Sequence, residues 1–483
     1  MSKRGSVSKG LLWKLLERFG VAGAQFVLQI ILARLLSPEH YGVLSLMIVF
    51  TTIANVFVQH GFNMALVQNK DVTEEDYSSV LWVSMGIAGL LYAVIFFVSP
   101  AIAIFYEMPD IIWPLRVLAL MLFPGALNSV QLAKISREMN FRKVFFSNIT
   151  AIVVSGTVGI IIALYGGGLW ALVFQSMLNV FIACIVMRFT SKLKIRFVCN
   201  GKRVKLLFGF GWKILVSHLI DTVYQDIRSL VIGKKYDNAT LGYYNKGKQF
   251  PQLLINSING AIQSVMLPAM SSEQDDKARV KSMMRTSMTM SSYIIFPMMA
   301  GLAAVATPLV SILLTDKWLP CVPYLQIYCF TFAMYPVHTC NLQAINAMGR
   351  SDLFLKLEVV KKTYGLIALT IAIVFFNSPI AIAMTGIVTT VISSFVNSYP
   401  NKKLIGYSYL EQIKDILPSL ILSIIMLTAV LAIGQLNISP IILIVIQIVV
   451  GAILYIALSA ILRIKPFIMV LEAFKSFLKK KKA

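Results

Sequence analysis

Polar side chains recur at helical spacing inside segments that are otherwise apolar. Arg18, Gln25 and Gln29 fall on one face of the first such segment, and Thr52, Asn55 and Gln59 on one face of the second. In the seventh, His218, Asp221, Gln225 and Arg228 stand three, four and three residues apart; in the eighth, Lys248, Gln252, Asn256, Asn259 and Gln263 form one ribbon. Residues so spaced share a helix face. The chemistry these types can do is recognition rather than bond making. Carboxamides both donate to and accept from hydroxyls, while Arg and Lys bind phosphate oxygens through charge-assisted hydrogen bonds. The five cysteines form no CxxC pair and the four histidines show no metal-ligand spacing, so neither a metal nor another cofactor is expected. No GxxxxGK[ST] is present, which argues against a nucleotide-driven pump carrying its own motor domain.

Taken singly, each Asn or Gln also fits an interhelical hydrogen bond. Four stripes at equivalent places of two repeats are more economically the lining of a hydrated passage. The candidate substrate-binding residues are therefore Arg18, Gln25, Gln59, Gln225, Arg228, Lys246, Lys248, Gln252, Asn256 and Asn259. Asp221 and Asp226 are the candidate carboxylates for ion coupling. Asp221 and Arg228, two turns apart, equally fit an internal structural pair.

The elements that carry these residues are membrane spans. With 58% hydrophobic and only 13% charged residues and a mean hydropathy of +0.77, the composition lies far from the roughly 25% charge of soluble domains. A net charge of +23 sits in short loops between apolar runs, so it reads as a topology signal and an attraction to anionic lipids, not as a nucleic-acid site. Since about 20 residues cross the hydrocarbon, fourteen spans are expected, near 11–34, 42–66, 80–105, 112–133, 146–164, 167–188, 207–233, 240–268, 286–315, 321–347, 354–376, 379–398, 413–434 and 439–462. Placing both termini in the cytoplasm puts most Lys and Arg inside, with Arg34, Lys234, Lys235, Lys246, Lys248 and Lys317 as the exceptions.

The two halves match at an offset near 200: Trp13-Lys14 with Trp212-Lys213, Gln25 with Gln225, Gly42 with Gly242, Gln59 with Asn259. The expected fold is thus an all-α polytopic membrane protein of two six-helix bundles, 1–190 and 207–400, related by a pseudo-two-fold axis and joined by a cytoplasmic linker, 191–206. Two further helices occupy 401–463, and 464–483 reads as a basic amphipathic tail lying on anionic lipid. Ser37-Pro38-Glu39 reads as a helix start.

Four motifs in order resemble the bacterial polysaccharide flippases of the Wzx type, in the branch of colanic-acid exporters. They are Leu35-Leu36-Ser37-Pro38-Glu39-His40-Tyr41-Gly42, Arg137-Glu138-Met139-Asn140-Phe141-Arg142, Leu241-Gly242-Tyr243-Tyr244-Asn245-Lys246, and Gln343-Ala344 with Ala347-Met348-Gly349-Arg350. The superfamily also holds multidrug extruders and the murein lipid flippase. The resemblance implies a non-enzymatic flippase in the bacterial inner membrane for undecaprenyl-pyrophosphate-linked oligosaccharide, with a polysaccharide polymerase and glycosyltransferases as implied partners. A cation-coupled multidrug extruder is the alternative, and the amide and cationic character of the stripes argues against it.

Overall fold

The computed structural model describes residues 3–68, 71–138, 140–191, 193, 195–436 and 438–472, and no strand occurs among them. Seventeen α-helices follow in order: α1 Lys3–Leu35, α2 Pro38–Gln68, α3 Glu74–Tyr106, α4 Ile112–Ala119, α5 Leu122–Glu138, α6 Phe141–Leu164, α7 Leu169–Ser191, α8 Gly201–Lys235, α9 Asn238–Ser271, α10 Lys277–Ala304, α11 Ala306–Leu314, α12 Val322–Ala333, α13 Tyr335–Ala347, α14 Ser351–Phe375, α15 Pro379–Ile405, α16 Tyr409–Ile433 and α17 Pro440–Ile461. Every expected span is one of these helices or a consecutive broken pair. Ten of them, among the described residues, are long and apolar enough to cross a bilayer, or eleven if α8, bent by 57° between Gly201–Gly209 and Ile214–Lys235, is one span. The sequence count was fourteen. The shortfall falls on α8, α9, the α12–α13 pair and α14; polar residues lower the hydropathy of α8 and of α12–α13, and α14 carries Glu358, Lys361 and Lys362. The chain is a multi-pass, all-α membrane protein.

Local chemistry sets the helix boundaries. Pro38 opens α2 with Glu39 in its first turn, as the Ser37-Pro38-Glu39 reading expects. Thr73 caps α3 in a reciprocal box with Asp76, and Ser408 caps α16 with Glu411 in the same way. Arg350 donates to both carboxylate oxygens of Asp352 at the start of α14, at 2.8 Å each, and holds that acid down at about 2.

The chain divides into two compact units, Met1–Asn245 and Lys246–Ala483. In the first, α2 packs on α5 and α8, α1 on α6, and α6 on α7. Pro100 lies within α3 and has no N–H, so the carbonyl of Phe96 four residues earlier loses its helical donor. Arg116, on α4, replaces it. Its Nε donates to the Phe96 carbonyl at 3.1 Å and to Ser99 Oγ at 2.9 Å, while its guanidinium lies 3.9 Å from the centre of the Phe96 ring. Ser99 Oγ also donates to the Phe96 carbonyl at 2.9 Å, so Arg116→Leu removes the charged donor and leaves one partner; it is expected to cost about 1.5–3 kcal/mol, the range for a hydrogen bond to a charged group, read as a lower melting midpoint in detergent. Pro100→Ala restores the N–H, so the loss should shrink when both changes are combined. An undiminished loss in the double variant would refute this account.

The segment before α8 lies against the start of α3. Ser78 Oγ accepts from the Arg196 amide and Ser79 Oγ from the Asn200 amide, both at 3.0 Å, and Phe197 stacks on Trp82 with ring centres 4.7 Å apart. Arg203 grips buried Asp76 through both oxygens, at 2.9 and 2.8 Å. The strap holds the first turns of α8 onto the first unit.

The reciprocal crossing of α2 with the first turns of α9 also lies within the first unit. A Cβ on Gly42 would stand 1.8 Å from the Asn238 carbonyl oxygen and 3.1 Å from the Gly242 nitrogen; one on Gly242 would stand 2.2 Å from the Pro38 oxygen and 3.2 Å from the Gly42 nitrogen. Each glycine meets the carbonyl four residues before its counterpart. That reciprocity is what a duplicated chain produces at a local two-fold.

In the second unit α10 packs on α16, α16 on α17, and α15 on α12, α13 and α14. The two last helices are built in by polar contacts as well as by apolar ones. Asp415 pairs with Arg285 and accepts from Tyr407 Oη at 2.7 Å, Lys281 pairs with Glu411 at 3.1 Å, and Gln412 exchanges hydrogen bonds with Asn341 at 2.8 and 3.1 Å. Tyr455 of α17 donates to the Tyr293 carbonyl at 2.9 Å. Residues 465–472 are helical, with Phe467 against this core and Ile468, Met469, Val470 and Leu471 exposed. The rest of the expected basic tail, 473–483, lies outside the described residues.

Candidate functional site

Polar positions of α1, α8 and α9 stay open to the surroundings within their units. On α1, Arg18 and Gln25 are half-buried. On α8, Gln225 is exposed and donates to Asp221 Oδ2 at 2.8 Å; Asp221, Asp226 and Arg228 are half-buried, and the Arg228 guanidinium lies 5.9 Å from the Tyr224 ring centre. On α9, Asn256 and Gln263 are exposed and Gln252 half-buried. On each helix these groups form an open polar face able to meet hydroxyls and anionic oxygens.

Other candidates turn toward their own unit. Gln59 donates to Asn55 at 2.9 Å, and both amides lie against Gly125 of α5, close to where a side chain there would stand. Asn259 accepts from Thr339 on α13. Lys246 is only 4% exposed, its ammonium 5.7 Å from the ring centre of fully buried Trp318, and Lys248 stands 6.0 Å from the Tyr328 ring centre. The lysines that broke the expected charge asymmetry thus have local partners. Lys234 is another, bonded to Glu107 at 2.8 Å and 5.2 Å from the Phe105 ring centre, and its hydrogen bond holds the Glu107 carboxyl below the usual range.

Each unit also carries an open pocket. The first holds one of about 280 Å³ lined by Glu17, Asn128, Ser136 and Asn148 among others. The second holds an apolar one of about 340 Å³ between α10, α12 and α16, lined by residues including Met299, Phe330, Leu420 and Leu427.

A family profile described as polysaccharide biosynthesis protein matches residues 31–323, more than half of the chain. The chain belongs to this family. The matched stretch carries three of the four motifs and the polar positions of α8 and α9, while Arg18 and Gln25 of α1 precede it. Among curated relatives, the succinoglycan biosynthesis transport protein ExoT of Rhizobium meliloti strain 1021 is 24% identical over 313 residues, 65% of this chain and 63% of its own length. The chain spans less than two thirds of that relative. The lipopolysaccharide biosynthesis protein WzxC of Escherichia coli strain K12 is 21% identical over 441 residues, 88% of both chains. Among solved structures, the lipid II flippase MurJ in its inward closed conformation superposes with a TM-score of 0.74 at 17% identity, covering 94% of this chain and 98% of that one. An inward-facing multidrug resistance MATE transporter reaches 0.59 at 14% identity over 81% of this chain. At these identities the structural matches establish the fold.

Sequence reasoning passed over two polar groups inside spans. Arg116 was visible as a charge in an apolar run, and its partner, the Phe96 carbonyl twenty residues upstream, supplied no signal of contact. The other group, His338 with Asn397 beside Glu358 and Lys361, was detectable as ionisable residues within the 321–347 and 354–376 runs.

Proposed function

We propose that this chain is a flippase that carries an oligosaccharide on a polyprenyl pyrophosphate from the cytoplasmic to the outer leaflet of the bacterial inner membrane, with both its termini in the cytoplasm. The observation that carries the reading is the set of open polar side chains that α8, with Arg228 among them, and α9 each present within their own unit. Arg18 and Arg228 would meet the pyrophosphate, and Gln25, Gln225, Gln252 and Asn256 the sugar hydroxyls. The polyprenyl tail stays in lipid. Gln59, Asn259, Lys246 and Lys248, turned into their own units, would shape this route from behind. Two bundles, 1–190 and 207–400, would present these faces to one hydrated passage and open it to alternate sides.

The names of ExoT and WzxC, a transport protein and a lipopolysaccharide biosynthesis protein, support this reading, as does the MurJ fold. A multidrug extruder suits it less, because a cationic, amide-lined face is poor at holding cationic drugs. Glycosyltransferases and a polymerase would act before and after the transfer. Deleting the gene in its host should cause lipid-linked repeat units to accumulate on the inner leaflet while surface polysaccharide disappears. Unchanged surface polysaccharide would end the proposal.

A further inference from the structure

Three helices of the second unit gather ionisable and amide groups that no packing role requires. Asn397 of α15 is fully buried, and its Nδ2 lies 3.2 Å from Nδ1 of His338 on α13. Glu358 and Lys361 of α14 form a partly buried ion pair, and Lys361 is near enough to act on the imidazole electrostatically. Tyr335 meets the imidazole edge to face, with ring centres 6.3 Å apart. On the neighbouring helices, Met284 and Met288 of α10 pack in one core with Val337 and Cys340 of α13, and Phe332 of α12 packs on Tyr335. Counting from Ala347, Ile405 and Ser351, where these helices end or begin, the cluster lies roughly 10–15 Å inside at 1.5 Å per residue. Ionisable groups at such depth are costly and are retained where they act.

The pair His338–Asn397 can accept two protonation states. As placed, the Asn397 amide donates to Nδ1, which fixes the imidazole as the Nε2–H tautomer, and the Asn397 Oδ1 is left buried without a hydrogen-bond partner. Half a turn of the amide presents Oδ1 instead, which is the partner an imidazolium Nδ1–H needs. One side-chain rotation therefore serves both states and satisfies the stranded oxygen in the charged one. Next to His338 in the chain, Thr339 donates to Asn259 on the α9 ribbon, so a shift of α13 is felt at the polar face of α9.

We propose that His338, held by Asn397 beside the Glu358–Lys361 pair, is a proton-binding site that couples proton movement to the export proposed above, on which this inference rests. The step is simple. An imidazole nitrogen lone pair takes a proton from hydronium on one side of the membrane, forming an N–H bond, and the same bond breaks to water on the other side.

The test uses the full-length protein in its host, with surface polysaccharide measured between pH 6 and 8 and with the pH gradient collapsed by nigericin. Wild-type export is expected to fall on collapse, whereas His338→Gln, which keeps a hydrogen bond but cannot charge, should export weakly and no longer respond. Asn397→Asp supplies a carboxylate that favours imidazolium, so the pH profile should move about one to three units toward alkaline. A histidine that only packed would show loss without that movement. Wild-type nigericin response in His338→Gln, or an unmoved profile in Asn397→Asp, overturns the coupling site. Should His338→Gln fail to reach the membrane, the Asn397→Asp profile alone decides. If deleting the whole gene leaves surface polysaccharide intact, it is the export reading that has failed.

Discussion

Arg18→Ala and Arg228→Ala are each expected to lower export roughly ten- to a hundredfold, because a charge-assisted hydrogen bond contributes about 1.5–3 kcal/mol and each 1.4 kcal/mol is a factor of ten. Arg18 lies on α1 and Arg228 on α8, both half-buried. Arg→Lys at either place should recover part of the activity: the charge remains, but the planar fork that binds two phosphate oxygens at once is lost. Lys246→Met should behave differently. That ammonium is packed against Trp318, so its effect belongs to the stability of the second unit and would appear in melting before it appears in export. The measurement is surface polysaccharide at matched membrane expression. Normal export by both Ala variants would refute a cationic route, though the fold would be untouched.

Much of the fold could be read from hydropathy, because the spans are long and their breakers are Pro and Gly. Ser37-Pro38 predicts the start of α2 for a local reason, and local reasons survive folding. The span count was less secure. On α8 the candidate residues Asp221, Gln225, Asp226 and Arg228 themselves depress the hydropathy, so polar function blurs the signal there. Periodicity says that Gln252, Asn256 and Asn259 share a side of α9, but it is silent on the neighbour that side meets. Thr339 is eighty residues away, and only packing shows that it takes Asn259. Gln59 illustrates the same limit, since the glycine that makes room for its amide, Gly125, gives no sign of this in the sequence. His338 went unnoticed because a lone histidine in an apolar run is ordinarily a satisfied core residue, and its meaning comes from Asn397 and Lys361 on other helices.

The repeat, in contrast, was legible at single residues, and the match of Gly42 to Gly242 leads to the largest stability effect expected in this chain. Gly42→Ala sets a methyl 1.8 Å from the Asn238 carbonyl oxygen and 2.7 Å from its carbon, far inside contact distance, and the obstacle is backbone that cannot rotate away. The helices must separate. Overpacking at a rigid site costs about 1–3 kcal/mol and occasionally more, and here the upper end is expected, seen as a lower melting midpoint in detergent and a smaller monodisperse fraction. Gly86→Ala is the control: nothing stands within 4 Å of its Cβ, and alanine in a helix should gain about 0.5–1 kcal/mol. Gly242→Ala should match Gly42→Ala in size, because it meets the Pro38 carbonyl in the reciprocal geometry. Both methyls are relieved by one movement, the parting of α2 from the first turns of α9, so the double variant should lose clearly less than the sum of the two single losses. Additive losses would show two separate obstacles and refute the shared crossing, and a Gly42→Ala protein that melts with the wild type would show that the two backbones do not meet there at all.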